Sequence, residues 1–238
     1  MSLNAAQSLS AALATTLRAM SLDDPELASF AEGAEAFTCV ARPEQGPPAK
    51  APLAERFLDE ALAGLACPAP LADAIRAFAP TVDWYRILDG APADPDLVEG
   101  LMVGRPEPAP GAPARVGLFL IAPGVHYPLH QHAADEVYYV ISGSVRIQHC
   151  TTGTPFEVPA GSFSITPPNR VHALTTGDVP CLIAYVWVGE MAKPGWWWDR
   201  DPSGQWHRTR WERGPDGRWE KFGREPVGTA VWREAGEA

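Results

Sequence analysis

The sequence predicts a mainly β fold, a sandwich or barrel of short strands that follows a helical N-terminal region. The first third of the 238-residue chain has apolar residues at helical spacing. Residues from about 115 to 190 instead form short runs of β-branched and aromatic residues separated by Gly or Pro. Closely spaced strands of this kind are typical of an all-β sandwich or barrel. With 46% apolar residues, a chain of this length can bury a sizeable core.

Residues 1–82 are expected to form a helical cap on the core domain. The first helix carries one apolar stripe at spacings of three and four, formed by Leu9, Leu13, Leu17 and Met20. Ser21, which precedes an acidic first turn, is the expected N-cap of a second short helix. Beyond a Pro-rich linker at Ala41–Pro52, two more helices are expected, one from Leu53 to Leu65 and one at Leu71–Phe78.

Residues 83–192 are expected to form the barrel domain, with its β core at about 115–190. The strand segments are Trp84–Leu88, Val116–Ala122, Glu136–Ser142, Ser144–His149, Pro155–Pro159, Ser162–Thr166 and Cys181–Val188. A loop rich in Pro and acidic residues separates the first two segments at Asp89–Glu99. Four prolines at Gly104–Pro113 predict a long irregular excursion on the surface.

The tail, residues 193–238, holds seven of the nine tryptophans. Two similar segments, Pro202–Arg208 and Pro215–Lys221, repeat thirteen positions apart. Alternating Trp and charged residues on either side of Gly214-Pro-Asp-Gly217 predict a Trp-rich β-hairpin. These indoles could cover the sheet, wall a cation pocket or form a dimer interface. The sequence leaves these three alternatives open.

Charge and cysteine content exclude several classes of protein. With 29 acidic and 19 basic residues, the net charge of −10 gives no electrostatic footprint for nucleic acid or an anionic membrane. The N-terminus lacks a basic signal region, and no stretch has the apolar length of a membrane span. The scattered cysteines Cys39, Cys67, Cys150 and Cys181 suggest ordinary buried thiols of a reducing compartment. We therefore expect a cytoplasmic protein.

Potential metal ligands are concentrated in Gly124–Gly143. This stretch contains His130, His132 and Glu136, and His172 follows in a later segment. Imidazoles and a carboxylate are common ligands of divalent cations. In strands, His130 and His132 project to one face, Glu136 returns to that face after a turn, and His172 arrives from an adjacent strand. The alternative is a surface His pair with an unrelated Glu.

The spacing of these residues resembles that of the cupin family, whose fold is a double-stranded β-helix or jelly-roll barrel. Its first motif is matched by Gly124, His130, His132, Glu136 and Gly143, and its second by Gly161, Pro167 and His172. Asn169 stands where the second motif usually has Gly, and Thr176 where it often has Asn. These departures affect local geometry more than metal binding.

Within that family, residues from about 80 to 190 resemble the cupin-type dimethylsulfoniopropionate (DMSP) lyases. The resemblance lies in Asp83-Trp84-Tyr85, in the run from His126 to Gly143, in Pro168-x-x-x-His172 and in Ala184-Tyr-Val-Trp187. It implies that His130, His132, Glu136 and His172 hold iron, manganese or zinc. It also implies that Tyr138 is the catalytic base and that Tyr127 lines the substrate site. The implied reaction is β-elimination of DMSP to dimethyl sulfide and acrylate, in a homodimer.

Strand parity gives further expectations for the aromatic and histidine side chains. Tyr138 shares the face of Glu136 and should point into the cavity, whereas Tyr139 should pack on the opposite side. Tyr127 has the opposite parity to His130, so only an irregular backbone near Pro128 would turn it inward. His126 has the same parity as His130 in a regular strand and is therefore expected to be a wall or supporting residue. The other two histidines, His149 and His207, are expected to face solvent.

Rival functions share the same fold and ligands. A His and carboxylate site also supports dioxygenase or isomerase chemistry on another small carboxylate. A non-enzymatic ligand-binding cupin is a further alternative, in which Tyr138 would be a packing residue.

Overall fold

The structure is a computed structural model and describes residues 3–40, 52–86, 100–213 and 219–237. Its helices are α1 (Leu3–Met20), α2 (Ala28–Ala36), α3 (Pro52–Ala63), α4 (Ala69–Phe78) and α5 (Thr229–Glu234), with a 3-10 turn at Pro25–Leu27. The first strands are β1 (Cys39–Val40), β2 (Trp84–Arg86), β3 (Leu101–Gly104), β4 (Glu107–Pro108), β5 (Ala114–Ile121), β6 (His126–Gln131) and β7 (Ala134–Ser142). The remaining strands are β8 (Ser144–His149), β9 (Phe156–Pro159), β10 (Phe163–Thr166), β11 (His172–Thr176), β12 (Cys181–Gly189), β13 (Gly195–Arg200), β14 (Trp206–Arg213) and β15 (Trp219–Pro226).

Two antiparallel sheets form the predicted jelly-roll barrel. One has six strands in the order β10-β7-β12-β5-β3-β2, and the other has seven in the order β15-β14-β13-β6-β11-β8-β9. Apolar residues of both sheets, among them Phe119, Val140, Ile147 and Leu174, pack together in the barrel interior. Gly143 joins β7 to β8 with a φ of +71°, and a Cβ there would lie 2.3 Å from the Pro180 carbonyl oxygen. The glycine is therefore required at this turn.

The helices cover the outer face of the six-stranded sheet, which confirms a helical cap. The predicted stripe of α1 is buried at Leu9, Leu13 and Leu17, and packs against α2 and α4, while α2 lies on β5 and β12 of the sheet. Because β5 is buried on both faces, its sequence is almost continuously apolar instead of alternating. None of the described helices has the length and hydropathy needed to cross a membrane.

The prediction that Ser21 caps the second helix is wrong. The Ser21 hydroxyl donates to the Arg18 carbonyl at the end of α1, 2.8 Å away. Asp24 is the cap, because its carboxylate accepts from the Glu26 amide at 3.1 Å and Pro25 follows it in the first helical position. Proline is favoured at that position because it has no amide hydrogen to leave unsatisfied.

The sheets extend beyond the predicted β core at both ends. β3 pairs with β5, and β13 pairs with β6, so strands before 115 and after 190 complete the two sheets. The excursion at Gly104–Pro113 is also less irregular than expected, because β4 pairs with β1 and Pro106 is buried. Four-residue and two-residue strands carry too little periodicity to be identified from sequence.

The predicted Trp-rich hairpin is present as β14 and β15, which pair in antiparallel register. Its turn at Gly214–Gly217 lies outside the described residues, as do the loop at Asp89–Glu99 and residues 41–51 of the predicted linker. The tail tryptophans divide between two faces. Trp197 and Trp211 lie on the inner side of the sheet, whereas an outer cluster with α5 contains Trp196, Trp198, Trp206 and Trp232.

Candidate metal centre

Three strands bring the candidate ligands together inside the barrel. His130 lies near the end of β6, directly opposite His172 of β11 in the seven-stranded sheet. After His132 the chain crosses to the six-stranded sheet, where Glu136 lies on β7. The ligand nitrogens of His130, His132 and His172 all lie within 4.8 Å of one another. The Glu136 Oε2 atom is 2.9 Å from His132 Nε2 and 3.6 Å from His172 Nε2.

The hydrogen bonds of the three imidazoles decide which nitrogens carry protons. The Nδ1 atoms of His130, His132 and His172 lie 2.8, 3.0 and 2.9 Å from the carbonyl oxygens of Pro128, Ala134 and Arg170, respectively. A carbonyl oxygen can only accept, so each Nδ1 donates, and each ring in its neutral form has its lone pair at Nε2. His132 Nε2 also lies 2.9 Å from Glu136 Oε2, a contact that a cation bound between the two atoms would replace. The buried His172 Nε2 has no hydrogen-bond partner among the described residues.

The electrostatics of the cluster favour a bound cation. Burial lowers the pKa of His130 well below its ordinary value, and the neighbouring imidazoles of His172 and His132 lower it further. Burial also lowers the pKa of His172, against the opposing effect of Glu136. For Glu136, burial acts to raise the pKa, but His132 and His172 outweigh it and hold the carboxyl pKa far below its usual range. Lone pairs and a carboxylate facing one another without water fit a divalent cation.

Trp187 fixes the orientation of the Glu136 carboxylate. It lies opposite Glu136 in the pairing of β12 with β7, and its indole Nε1 donates a short hydrogen bond to Glu136 Oε1. Its ring also packs on His132, with the two centroids 4.3 Å apart. One carboxylate oxygen is therefore held by Trp187, and the other faces the imidazoles. This arrangement is typical of the outer hydrogen bonds that orient metal ligands.

A small cavity of about 40 Å³ lies beside the cluster. It is lined by His130, His132, Phe119, Tyr127, Tyr138, Trp187, Trp197, Gln131, Lys193 and Gly195. A volume of this size holds a few water molecules at most. Any larger ligand must therefore displace the rings that line the cavity.

Tyr138 and Tyr127 both lie in this cavity. As strand parity predicts, Tyr138 faces the interior, with its ring centroid 6.3 Å from that of His172, while Tyr139 packs under the helical cap. Burial raises the pKa of Tyr138 well above its ordinary value, and the Glu136 charge raises it further. Burial, followed by the Glu136 charge, also raises the pKa of Tyr127.

Tyr127 points inward because the backbone is irregular next to Pro128. His172 pairs with His130 and Leu174 pairs with Tyr127, so β6 has one more residue than β11 across this interval. This bulge brings Tyr127 to the same side as His130, 4.1 Å away between ring centroids. It also turns His126 outward, where it is exposed and contacts Thr175. The expectation that His126 is an inner wall residue is therefore wrong.

The two remaining histidines were expected to face solvent, but both are partly buried. His149 is half-buried opposite His172, and its Nε2 lies 3.3 Å from the Thr166 hydroxyl. Burial, helped by the charges of His172 and Arg170, lowers the pKa of His149 to about 4. His207 is partly buried on β14, and its Nδ1 lies 3.2 Å from the Gln205 carbonyl oxygen. Neither residue joins the metal cluster.

The departures from the cupin motif are accommodated locally. Asn169 has a φ of +62°, the left-handed conformation that a glycine would adopt freely and that Asn tolerates better than most residues. Thr176 accepts a hydrogen bond from the Val125 amide at 3.0 Å and donates one to the Ala122 carbonyl at 2.6 Å. Both substitutions thus preserve the loops that carry the ligand strands.

A model of the dimethylsulfoniopropionate lyase family matches residues 31–183, which is more than half of the chain. The chain belongs to the dimethylsulfoniopropionate lyase family. It is similar to dimethylsulfoniopropionate lyase DddQ of Ruegeria pomeroyi, with 22% identity over 75% of this chain and 89% of the relative. It is also 36% identical to a protein of Cereibacter sphaeroides provisionally named dimethylsulfoniopropionate lyase DddL, over 31% of each chain. That match spans less than a third of the relative.

Solved structures of lyases of this family have the same fold. The crystal structure of DddQ from Ruegeria pomeroyi DSS-3 superposes with a TM-score of 0.59 at 22% identity, covering 79% of this chain and 94% of that one. A second crystal structure, from a study of the lyases RdDddP and RnDddQII, gives a TM-score of 0.57 at 23% identity, covering 79% and 96%. This chain therefore shares its fold with these lyases.

The cavity-wall residues that sequence reasoning did not identify include Phe119, Trp187 and Lys193. Phe119 belongs to a continuous apolar run in which inward and outward residues look alike. The contact of Trp187 with Glu136 depends on the register of two strands that are far apart in sequence. Lys193 lies in the connection that leads to β13, and no local pattern distinguishes it from a surface lysine.

Proposed function

We propose that this protein is a metal-dependent carbon–sulfur lyase that converts DMSP into dimethyl sulfide and acrylate. The observation that carries the proposal is the buried cluster of three imidazole Nε2 lone pairs and one carboxylate, next to a buried tyrosine, in a chain of the DMSP lyase family. The names of the relatives support the choice of DMSP as substrate.

His130, His132, Glu136 and His172 would hold the metal. Nitrogen and carboxylate ligands suit iron, manganese and zinc alike, so we propose a divalent cation from this group. Such a cation would stabilise the charge that develops on the substrate carboxylate and would favour the phenolate form of a neighbouring tyrosine. The backbone carbonyls that accept from the three Nδ1 atoms keep the Nε2 lone pairs available as ligands.

Tyr138 would act as the base. Its phenolate oxygen takes the proton from the carbon next to the substrate carboxylate, and the electron pair left behind forms the carbon–carbon double bond of acrylate. The bond between the neighbouring carbon and sulfur breaks at the same time. Its electron pair goes to the sulfonium, which leaves as neutral dimethyl sulfide. Because Tyr138 is 2% exposed, bulk water is kept away from this proton transfer.

Tyr127 would form the substrate wall opposite Tyr138. Its ring lies against His130, one of the proposed ligands, and both tyrosines line the same cavity. DMSP is larger than the few water molecules that this cavity holds, so binding requires the lining rings to separate. The expected homodimer and the expected cytoplasmic location remain predictions from sequence.

The test is to load the purified protein separately with iron(II), manganese(II) or zinc(II), incubate it with DMSP, and measure dimethyl sulfide and acrylate. Equal amounts of both products are expected with at least one metal. Tyr138→Phe should lower turnover by roughly 100-fold to 10,000-fold, the usual contribution of a general base. Its metal content should stay unchanged.

Tyr139→Phe is the matched control, because Tyr139 is the next residue on the same strand but packs under the helices. It should retain full turnover. No product with any of the three metals would refute the lyase proposal. Full activity in Tyr138→Phe would refute the assignment of the base alone.

A further inference from the structure

Two tryptophans line the cavity, and both lie beyond residue 183, where the match of the family model ends. Trp187 already contacts two of the candidate ligands, because its indole donates to Glu136 and its ring packs on His132. The Arg115 guanidinium also lies 5.9 Å from the Trp187 ring centroid. A further cation on this ring would be repelled by Arg115. Trp197 makes neither of the contacts with Glu136 and His132.

Trp197 reaches the cavity because β13 is hydrogen-bonded to β6. It lies opposite His130 in register, with the two rings nearly parallel and their centroids 6.1 Å apart. Tyr127 meets it edge-on at 6.3 Å, and Trp211 of β14 meets it edge-on at 5.5 Å. The indole is therefore positioned by two strands of the tail and forms one wall of the space next to the proposed ligands.

The side chains that line the cavity limit the ways in which a cation can be recognised there. Among the described residues that line the cavity, none is a carboxylate, and the ammonium of Lys193 lies 3.3 Å from Glu190 at the exposed rim. A sulfonium group has no N–H or O–H with which to donate a hydrogen bond. An aromatic face can still attract a sulfonium group, and among aromatic side chains the indole of Trp attracts cations most strongly.

We propose that Trp197 is a specificity-determining residue that holds the dimethylsulfonium group of the substrate against its indole face. This inference rests on the proposed function, since it assumes a sulfonium substrate. The neighbouring phenyl and phenol rings have closer ring partners than Trp197 has in His130: Tyr127 lies 4.1 Å from His130 and Phe119 lies 4.6 Å from Tyr185, whereas 6.1 Å separates Trp197 from His130. Trp197, which lies beyond the residues that the family model matches, thus contributes the group that distinguishes a sulfonium headgroup from an uncharged one.

The experiment compares DMSP with 4-methylpentanoate, an isostere that keeps the carboxylate but has an uncharged CH group in place of the sulfonium sulfur. Binding of each is measured by calorimetry to metal-loaded protein that carries Tyr138→Phe, which prevents turnover. DMSP should bind more tightly than 4-methylpentanoate. Adding Trp197→Leu should weaken DMSP binding by roughly 5-fold to 30-fold, the range expected for a desolvated cation–π contact. It should change 4-methylpentanoate binding by much less.

Trp196→Leu is the matched control, because Trp196 is the adjacent residue of β13 and faces the outer cluster. It should leave the preference for DMSP unchanged. Trp197→Phe, which keeps an aromatic face, provides a second variant if Trp197→Leu does not fold, and it should lose only part of the preference. In otherwise unmodified enzyme, the loss should appear in KM and not in kcat.

Equal weakening of both ligands, or no weakening of either, would overturn the role of Trp197. Failure of the wild-type site to bind DMSP would overturn it as well. These results are separable from the lyase proposal. If the enzyme releases dimethyl sulfide but Trp197→Leu keeps the preference for DMSP, the role of Trp197 is refuted and the lyase proposal is supported. If the site binds DMSP selectively but releases no dimethyl sulfide, the lyase proposal is refuted and the role of Trp197 in binding is supported.

Discussion

Replacing Trp187 by Phe removes one hydrogen bond from the metal cluster and leaves the surrounding packing almost intact. In the wild-type protein the indole Nε1 donates to Glu136 Oε1, and Glu136 is completely buried. The phenyl ring of the variant can still pack on His132, as the indole does at 4.3 Å. The variant therefore isolates the contribution of a single donor to the orientation of a ligand carboxylate.

The expected effect is large because the acceptor is charged and buried. Hydrogen bonds to charged groups contribute about 1.5–3 kcal/mol, and bulk water does not reach the 0% exposed Glu136 to replace the indole. Without this donor, Glu136 can rotate away from the imidazoles, and an oxygen of the carboxylate is left unsatisfied. Loss of such outer partners typically lowers metal affinity by about 10-fold to 100-fold. We expect a decrease within this range for zinc(II).

The assay is a competition titration of metal-free protein against a chromophoric zinc chelator. Trp198→Phe is the matched control, since its indole Nε1 donates to the buried Gln131 Oε1 at 3.0 Å, on the other face of the sheet. That variant should lose stability but keep the zinc affinity of the wild type. Unchanged zinc affinity in Trp187→Phe, or an equal loss in both variants, would refute the assigned role of Trp187.

Two other predictions follow from backbone strain and from a buried imidazole. Asn169→Ala should lower the free energy of unfolding by about 1 kcal/mol, because alanine is strained at a φ of +62°. Asn169→Gly should not do so; urea denaturation measures both, and equal stability of the two variants would contradict the argument. The pKa of His149 is lowered from 6.5 to about 4 in the folded protein, so the unfolded chain takes up the proton first. The stabilisation from neutral His149 is therefore present above pH 6.5 and lost as the pH falls towards 4. Urea denaturation of metal-free protein should show this decline, and His149→Gln should reduce it; an identical pH dependence in the variant would exclude this origin.

Periodicity by itself was enough to predict the features that depend on neighbours in sequence. The stripe of α1, the barrel strands β5, β7, β8, β9, β10 and β12, and the pairing of β14 with β15 all follow from local spacing and turn residues. The same holds for the opposite orientations of Tyr138 and Tyr139, because successive residues of a strand face opposite sides. The clustering of His130, His132, Glu136 and His172 was expected from a strand-turn-strand pattern together with the cupin motif.

What the tertiary structure decided depends on register between distant strands. The bulge that turns Tyr127 inward and His126 outward results from the pairing of β6 with β11. Trp187 meets Glu136 because β12 pairs with β7, and Trp197 reaches the cavity because β13 adds to β6. A sequence states which face a residue occupies on its own strand. It does not state which strand lies beside it, since that choice is made by burial of apolar surface and backbone hydrogen bonding across the whole chain.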